Sequence, residues 1–533
     1  MTLRPGRNPF VPSDAGVLLG LAILAVGHTA ASFVWLARDN QPPLWDMALH
    51  QTSGLAFHDL FAGSGWNFAE WFAVTGAYPP FYHHLLALAF ALGRDHHLAV
   101  WANLPATLAL ILCTYVLGRR WFSPVEGVLA ATVLLCFPYV AWVSRETIID
   151  YTLAAVVLGA IVCLDSSVGF SRRGWSLAFG ALAALAALTK WIGPAFLILP
   201  ALWALCRAVG PDRRVRTRNF LDATILGGGL TLAWYLPKLP EILAFLRANT
   251  LIGAAEGEPP VFSLDSLVYY LRLLEGEQLH GFFFLAFVAG VVFAIGRRDG
   301  AMVLLLLWVA SGYVFLTLLR TKDPRFTLPY LPAVARLAVS WVRALRAGIG
   351  RQAARFALVG LSVGHFALVS FGWSALPEQV LLAEGYQGSY SWDWRLYAQR
   401  YQGLLGPPQR ADWPQGVILE MIVSASPDSE RVRIGIVPDL PRFNHENLRL
   451  EARFRRLPID VVRISELGVR GEALIDSLDF LIVSEGEQGM VWTTEANTEI
   501  NDYVFARPDR FMILDFARVP SGPALRIYRV GPS

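Results

Sequence analysis

Asp46 is the first residue in the chain whose setting suits chemistry. It closely follows the apolar run Gly16 to Leu36 and stands in Pro42-Pro43-Leu44-Trp45-Asp46-Met47. A carboxylate held at a membrane surface, beside an interface-type tryptophan, suits a general base or a metal ligand. The plainer alternative is a solvated loop acid or a helix cap. His50 lies one helical turn further on and reads as a surface residue rather than a second ligand. Asp39, His58, Asp59 and Glu70 read as solvated. The tandem pairs His83-His84 and His96-His97 resemble metal sites only superficially, because adjacent histidines point to different sides of a helix. Interfacial placement suits them better.

A second acidic group is Ser144-Arg145-Glu146-Thr147-Ile148-Ile149-Asp150. Glu146 and Asp150 are four apart and share one helix face. Arg145 would neutralise one of them or bind a phosphate. Ionisable groups at span ends are costly to bury and often functional, the alternative being simple snorkelling to the interface. Third come the lysines. Lys190, Lys238 and Lys322 are the only three among 45 Lys and Arg residues. All three map to outer span ends, where a compact ammonium suits phosphate. Lys322 sits in Arg320-Thr321-Lys322-Asp323-Pro324-Arg325, a cationic cluster suited to an anionic lipid head group. A lipid-anchoring role is its alternative.

These residues must be positioned by membrane helices. Of 533 residues, 55% are hydrophobic and 16% are charged. Soluble domains carry about 25% charged residues, so lipid is the expected solvent. The net charge of +3 gives no reason to expect nucleic acid. Cys113, Cys136, Cys163 and Cys206 lie in apolar stretches without a CxxC pair, which supports neither a disulfide framework nor a zinc knuckle. The first apolar run has the length of a retained span rather than of a signal peptide.

The apolar runs divide into eleven expected spans, at about 15–36, 97–118, 124–142, 148–165, 175–190, 191–207, 219–237, 280–296, 300–319, 326–343 and 355–375. With the N-terminus inside, the basic clusters all fall on the inner side, as the positive-inside rule requires. They are Arg4 and Arg7; Arg119 and Arg120; Arg172 and Arg173; Arg207, Arg213, Arg214, Arg216 and Arg218; Arg297 and Arg298; and Arg343, Arg346, Arg351 and Arg355. The run Pro79 to Gly93 is then an interfacial helix on the outer surface, since counting it as a span inverts every later loop. Two outer loops result, about 37–97 and 238–279. The expected division is a transmembrane domain at 1–375 and an extracytoplasmic soluble α/β domain at 376–533. The latter alternates strand-like runs (Val432 to Val437, Asp460 to Ile464, Phe480 to Val483, Phe511 to Phe516, Ala524 to Val530) with a helical pattern from Asn444 to Leu457.

The order of these motifs resembles a known family. Trp45-Asp46 follows the first span, Tyr78-Pro79-Pro80-Phe81-Tyr82 opens the interfacial helix, and Ser144-Arg145-Glu146 with Asp150 comes next. Thr189-Lys190-Trp191 and Lys322-Asp323-Pro324-Arg325-Phe326-Thr327-Leu328-Pro329 complete the series. This is similar to the type C membrane glycosyltransferases, in the superfamily of protein O-mannosyltransferases and lipid A aminoarabinose transferases. The resemblance spans about residues 15–335 and does not reach the C-terminal domain. It implies an all-α polytopic fold with interfacial helices in the first outer loop.

The function implied is sugar transfer, with inversion, from a polyprenyl-phosphate donor to an acceptor hydroxyl on the outer face of the plasma membrane. The acceptor would be a lipid, a glycan or a protein. Asp46 is the expected catalytic base. Glu146 and Asp150 match the second acidic region of relatives, as binders of acceptor or metal, and Arg145 goes with them. Lys322 and Arg325 match the late cationic motif near the donor phosphate. Lys190 matches more loosely, and Tyr78 is expected at the substrate. Many relatives carry a second acid after the first-loop Asp, whereas Met47 stands there in this chain, which weakens a paired-acid metal site. A divalent metal stays open, and no other cofactor is expected. Two competing readings remain, a transporter or flippase for a lipid-linked or anionic substrate and a noncatalytic assembly protein. Transporters favour inverted repeats and broken helices at the bilayer midplane, whereas here the notable charges cluster at outer span ends.

Overall fold

The computed structural model describes residues 15–63, 67–207, 212–297, 299–387, 391–427, 429–464, 472–520 and 522–531. Arg4, Arg7 and Arg298, from the inner basic clusters, lie outside these residues. A helical bundle is followed by two β-sheets with their own helices.

Among the described residues, six helices are long and apolar enough to cross a membrane: Ala15–Leu36, His96–Trp121, Ile149–Ser166, Leu264–Arg297, Gly300–Thr317 and Ile349–Phe371. The protein is therefore a multi-pass membrane protein. Of the other expected spans, 219–237 lies within a longer helix and the rest are shorter or broken. The 124–142 run forms two helices, Pro124–Cys136 and Pro138–Val143. They part at Phe137, because Pro138 has no N–H to continue the first one. The 326–343 run forms a 3-10 turn, Pro324–Tyr330, and then the helix Leu331–Ser340. Every residue of that helix is buried, as expected where apolar groups surround a helix on all sides. The helix Phe81–Phe90 has 10 residues. Its length of about 15 Å falls short of a bilayer core of about 30 Å.

The stretch 238–279 departs from the sequence reading, which closes a span at 237 and opens a loop. Instead one helix of 43 residues, Arg213–Ala255, runs through Pro237 and Pro240. Prolines are tolerated inside membrane helices where neighbouring groups satisfy the freed carbonyls. At about 65 Å the helix is roughly twice the bilayer core, so it projects beyond it. The helix Leu264–Leu273 fills much of the remaining stretch.

Close packing accounts for part of the Gly227-Gly228-Gly229 run. A Cβ at Gly227 would stand 2.7 Å from the Gly180 carbonyl oxygen, while Gly228 and Gly229 face open space. A tighter approach occurs at Gly290, where a Cβ would stand 1.8 Å from the Leu337 carbonyl oxygen. The buried helix Leu331–Ser340 is thus held backbone to backbone against Leu264–Arg297, as small residues permit in membranes.

In the C-terminal region each of the five strand-like runs is a strand. The five-stranded sheet has the order Ile459–Arg463, Val432–Ile436, Phe480–Glu485, Ala524–Val530, Phe511–Arg518. The first three strands are parallel, and the last two pair antiparallel. Residues Phe480 to Val483 are all buried, which is the signature of a strand covered on both faces. Gln379–Gln387 and Ser391–Ala398 form a separate antiparallel pair.

The C-terminal region is stitched to the segment that follows the first helix. Trp35 Nε1 donates to the Gly406 carbonyl at 3.0 Å, and Asn40 exchanges bonds with Ala411 at 3.0 and 2.9 Å. Asn447 Nδ2 donates to the Pro43 carbonyl at 2.7 Å, and Arg442 donates to the Pro42 carbonyl. Trp45 N donates to the Pro441 carbonyl at 3.2 Å, and its indole donates to the Asp439 carbonyl at 3.1 Å. The chain on either side of Leu44 is thereby fixed before the helix Trp45–Ala62 begins.

Candidate active site

Asp46 lies in the first turn of the helix Trp45–Ala62. That end of a helix carries partial positive charge and favours a carboxylate. Asp46 Oδ2 accepts from Arg325 Nη1 at 2.9 Å, across 279 positions of sequence. Arg325 is oriented locally. Asp323 caps the 3-10 turn Pro324–Tyr330, accepting from Arg325 N at 2.8 Å and from Arg325 Nε at 2.7 Å. Burial opposes the guanidinium's charge, but Asp323 and Asp46 outweigh it and hold the group protonated. Asp46 and Asp323 thus share one guanidinium. Asp46 itself stays partly open, with 37% of its side chain exposed.

Asp46 opens onto a cavity of about 760 Å³, within the range of small-molecule sites. Tyr78, Lys190, Arg320, Lys322 and Arg325 line it together with Asp46. The extension of the long helix contributes Phe245, Asn249 and Glu256. A smaller cavity of about 250 Å³ lies against Asp46 and Arg325, bounded by Met47, Tyr139, Tyr401 and Leu405 among others.

The cationic side is built in three ways. Lys190 follows the helix Arg173–Thr189, and its Nζ reaches both carboxylate oxygens of Asp150 at 2.8 Å. It also lies 4.4 Å from the Phe326 ring centroid, a favourable cation–π distance. Lys322 Nζ donates to the carbonyls of Leu316 and Thr317 at 3.1 and 2.9 Å, at the end of the helix Gly300–Thr317. Burial pushes its ammonium down to about 8, with Glu258 opposing the shift and Arg320 adding to it. Arg320 Nη1 is buried without a hydrogen-bond partner.

Other sequence candidates fall elsewhere. Asp150 stands behind Lys190 and is fully buried. Arg145 is also buried, donating to Ser370 Oγ at 2.8 Å and lying over the rings of Trp35, Phe366 and Phe371. Its Nε and Nη1 are buried without a hydrogen-bond partner. Glu146 is not among the cavity-lining residues; burial, partly offset by Arg442, raises its carboxyl to about 7.

His50 is 1% exposed, not a surface residue, and its Nδ1 lies 3.1 Å from His83 Nε2. His84 turns the other way and accepts from Trp71 Nε1 at 2.9 Å. Among the described residues, one set of three metal-ligating side chains lies close together, Asp95, His96 and His97. It does not line the cavity, and Asp95 is engaged in capping the short helix it precedes.

The C-terminal region completes the cavity with Asp439, Asn444, His445, Glu446, Arg463 and Trp492. Reading the sequence does not single out these residues. The bonds that dock this region on residues 42–45, among them the Trp45 indole on the Asp439 carbonyl, join positions some 400 apart, and no local motif marks them.

Residues 77–239 match the family model of dolichyl-phosphate-mannose-protein mannosyltransferases. No curated protein matches the chain in sequence. Among solved structures, ArnT from Cupriavidus metallidurans in the apo state is similar with a TM-score of 0.60 at 16% identity, over 96% of this chain and 98% of that one. ArnT from the same organism bound to undecaprenyl phosphate gives 0.59 at 16% identity, over 97% and 98%. The oligosaccharyltransferase of Archaeoglobus fulgidus, in complex with Zn and sulfate, gives 0.52 at 13% identity, over 97% and 73%. The fold similarity thus extends past the sequence motifs into the C-terminal region. This chain has the fold of the type C membrane glycosyltransferases, with the mannosyltransferase family's sequence match over residues 77–239.

Proposed function

We propose that the protein transfers a sugar from a polyprenyl-phosphate donor to an acceptor hydroxyl, with inversion, at the outer face of the plasma membrane. The observation that carries this reading is one cavity lined by both Asp46 and four cations, Lys190, Arg320, Lys322 and Arg325. Asp46 takes the proton of the acceptor hydroxyl as its oxygen bonds to the anomeric carbon. The bond from that carbon to the phosphate oxygen breaks, and the polyprenyl phosphate leaves as an anion. A leaving group of this kind needs cations placed where its charge develops. A base positioned for the hydroxyl supplies the remainder. Arg325, bonded to Asp46, sets the carboxylate's direction, and Arg320 brings an unsatisfied donor. Lys190 is held by Asp150, and Tyr78 borders the substrate. The C-terminal domain, 376–533, supplies one wall of the cavity onto which Asp46 of the transmembrane domain, 1–375, opens.

The donor side is tested with undecaprenyl phosphate and the purified protein in lipid nanodiscs. Lys322 carries its charge below about pH 8. Affinity is therefore expected to hold up to that pH and to fall as pH rises through it. Lys322→Ala should weaken binding about tenfold at pH 7, the value of one charge-assisted hydrogen bond. Lys322→Arg should carry the plateau to higher pH. An affinity that is flat from pH 7 to 10 and indifferent to Lys322→Ala contradicts the assignment.

A further inference from the structure

The cavity has a second wall with a different charge pattern. On the membrane side Lys190 and Arg325 are engaged by carboxylates, but Lys322 bonds to carbonyls and Arg320 keeps an unsatisfied donor. On the C-terminal side each basic side chain lies against a carboxylate. Arg463 Nη2 lies 2.9 Å from Asp439 Oδ2. His445 Nε2 and Arg449 Nη1 lie 3.2 and 2.9 Å from Glu446 Oε1. Such a wall has little to offer a phosphate.

It does hold unsatisfied polar atoms. Asp439 and Glu446 are 6% and 8% exposed. Asp439 Oδ1 and Glu446 Oε2, both acceptors, and Trp492 Nε1, a donor, are buried without a hydrogen-bond partner. Buried groups of this kind are costly to leave unpaired, and a ligand that bonds them removes that cost. The half-buried Trp492 ring is braced by the Arg463 guanidinium at 4.5 Å. The wall is also tied to the catalytic end, since the Asp439 carbonyl accepts from the Trp45 indole, next to Asp46. An uncharged sugar ring matches this set. Its hydroxyls donate to carboxylates and accept from an indole N–H, and its C–H face packs on an aromatic ring.

We propose that this wall is a subsite for an uncharged saccharide ring, with Trp492 as the stacking platform and Asp439 and Glu446 as hydroxyl acceptors. Naming a saccharide rests on the glycosyl-transfer reading. The ring belongs either to the donor's transferred sugar or to the acceptor, and the same chemistry serves both.

Saturation-transfer NMR on the full-length protein in nanodiscs tests it without any turnover. The probes are methyl α-mannopyranoside and methyl α-arabinofuranoside, with mannose 6-phosphate as the anionic control. The neutral glycosides should receive saturation, and the phosphorylated sugar markedly less. Trp492→Ala should weaken the neutral glycosides about five- to tenfold, as loss of an aromatic face implies. Asp439→Asn should weaken them in the same direction, and both variants should retain undecaprenyl phosphate binding as evidence of folding. Competition by undecaprenyl-phosphate mannose, but not by undecaprenyl phosphate, assigns the ring to the donor; coexistence assigns it to the acceptor. Wild-type protein that binds no neutral glycoside, or Trp492→Ala protein that binds them unchanged, overturns the proposal. Failure of undecaprenyl phosphate to bind wild type would instead count against the donor reading and leave the glycoside result to be judged separately.

Discussion

Asp46→Asn is expected to reduce sugar transfer by a factor of about 10²–10⁴, the usual worth of a positioned general base. Folding and undecaprenyl phosphate affinity should be little changed. Asparagine matches the carboxylate in shape and keeps an oxygen for Arg325 Nη1, now 2.9 Å from Asp46 Oδ2. Arg325 also keeps Asp323 as its capping partner. What is lost is the capacity to take a proton. Surface glycans of a deletion strain, complemented with either allele and compared by mass spectrometry, give a readout that does not require the sugar or the acceptor to be identified first. The deletion should remove or shorten a glycan, wild type should restore it, and the Asn allele should not. Full restoration by the Asn allele would require another base or another kind of activity.

Breaking the pair of Lys190 and Asp150 should have the largest effect on stability. The two side chains are 7% and 1% exposed, and Nζ sits 2.8 Å from both oxygens. Removing one partner leaves a buried charge uncompensated, at a cost of about 3–5 kcal/mol. Asp150→Ala should therefore lower the unfolding temperature in detergent sharply. The double change Asp150→Leu with Lys190→Met should recover much of the loss, since apolar replacement of a buried pair is often neutral. The doubly changed protein should still bind undecaprenyl phosphate less well, because Lys190 also lines the cavity. An Asp150→Ala protein as stable as wild type would show that the pair is not buried as described. A double variant with full lipid affinity would remove Lys190 from the phosphate's surroundings.

The sequence exposes the polar core of the site because charged residues are conspicuous in apolar surroundings. Asp46 after the first span and Lys322-Asp323-Pro324-Arg325 near the end of the bundle can be found this way, and the cap that orients Arg325 is local. Their pairing is not local, and only the shared sidedness of the loops suggests it. His50 shows the limit. One turn from Asp46 in an apparent loop, it reads as exposed, yet His83 and the edge of Tyr78 enclose it. The helix through Pro237 and Pro240 is hidden by the general rule against interior prolines, which lipid surroundings relax. Span lengths also mislead for Leu331–Ser340, which is buried by its neighbours rather than matched to lipid. Least legible is the C-terminal wall. Glu446 and Arg463 lie in an ordinary helix and strand pattern, Asp439 and Trp492 lie outside the runs read from the sequence, and tertiary packing such as the Trp45 indole on the Asp439 carbonyl brings this wall to the site.

A cryo-EM map of the protein in nanodiscs with undecaprenyl phosphate tests most directly whether the donor phosphate and Asp46 share one chamber. The expected density places the phosphate within hydrogen-bond reach of at least two of Arg320, Lys322, Lys190 and Arg325, on the membrane face where Asp46 opens. Phosphate bound at the opposite face, or in a compartment walled off from Asp46, would contradict the account.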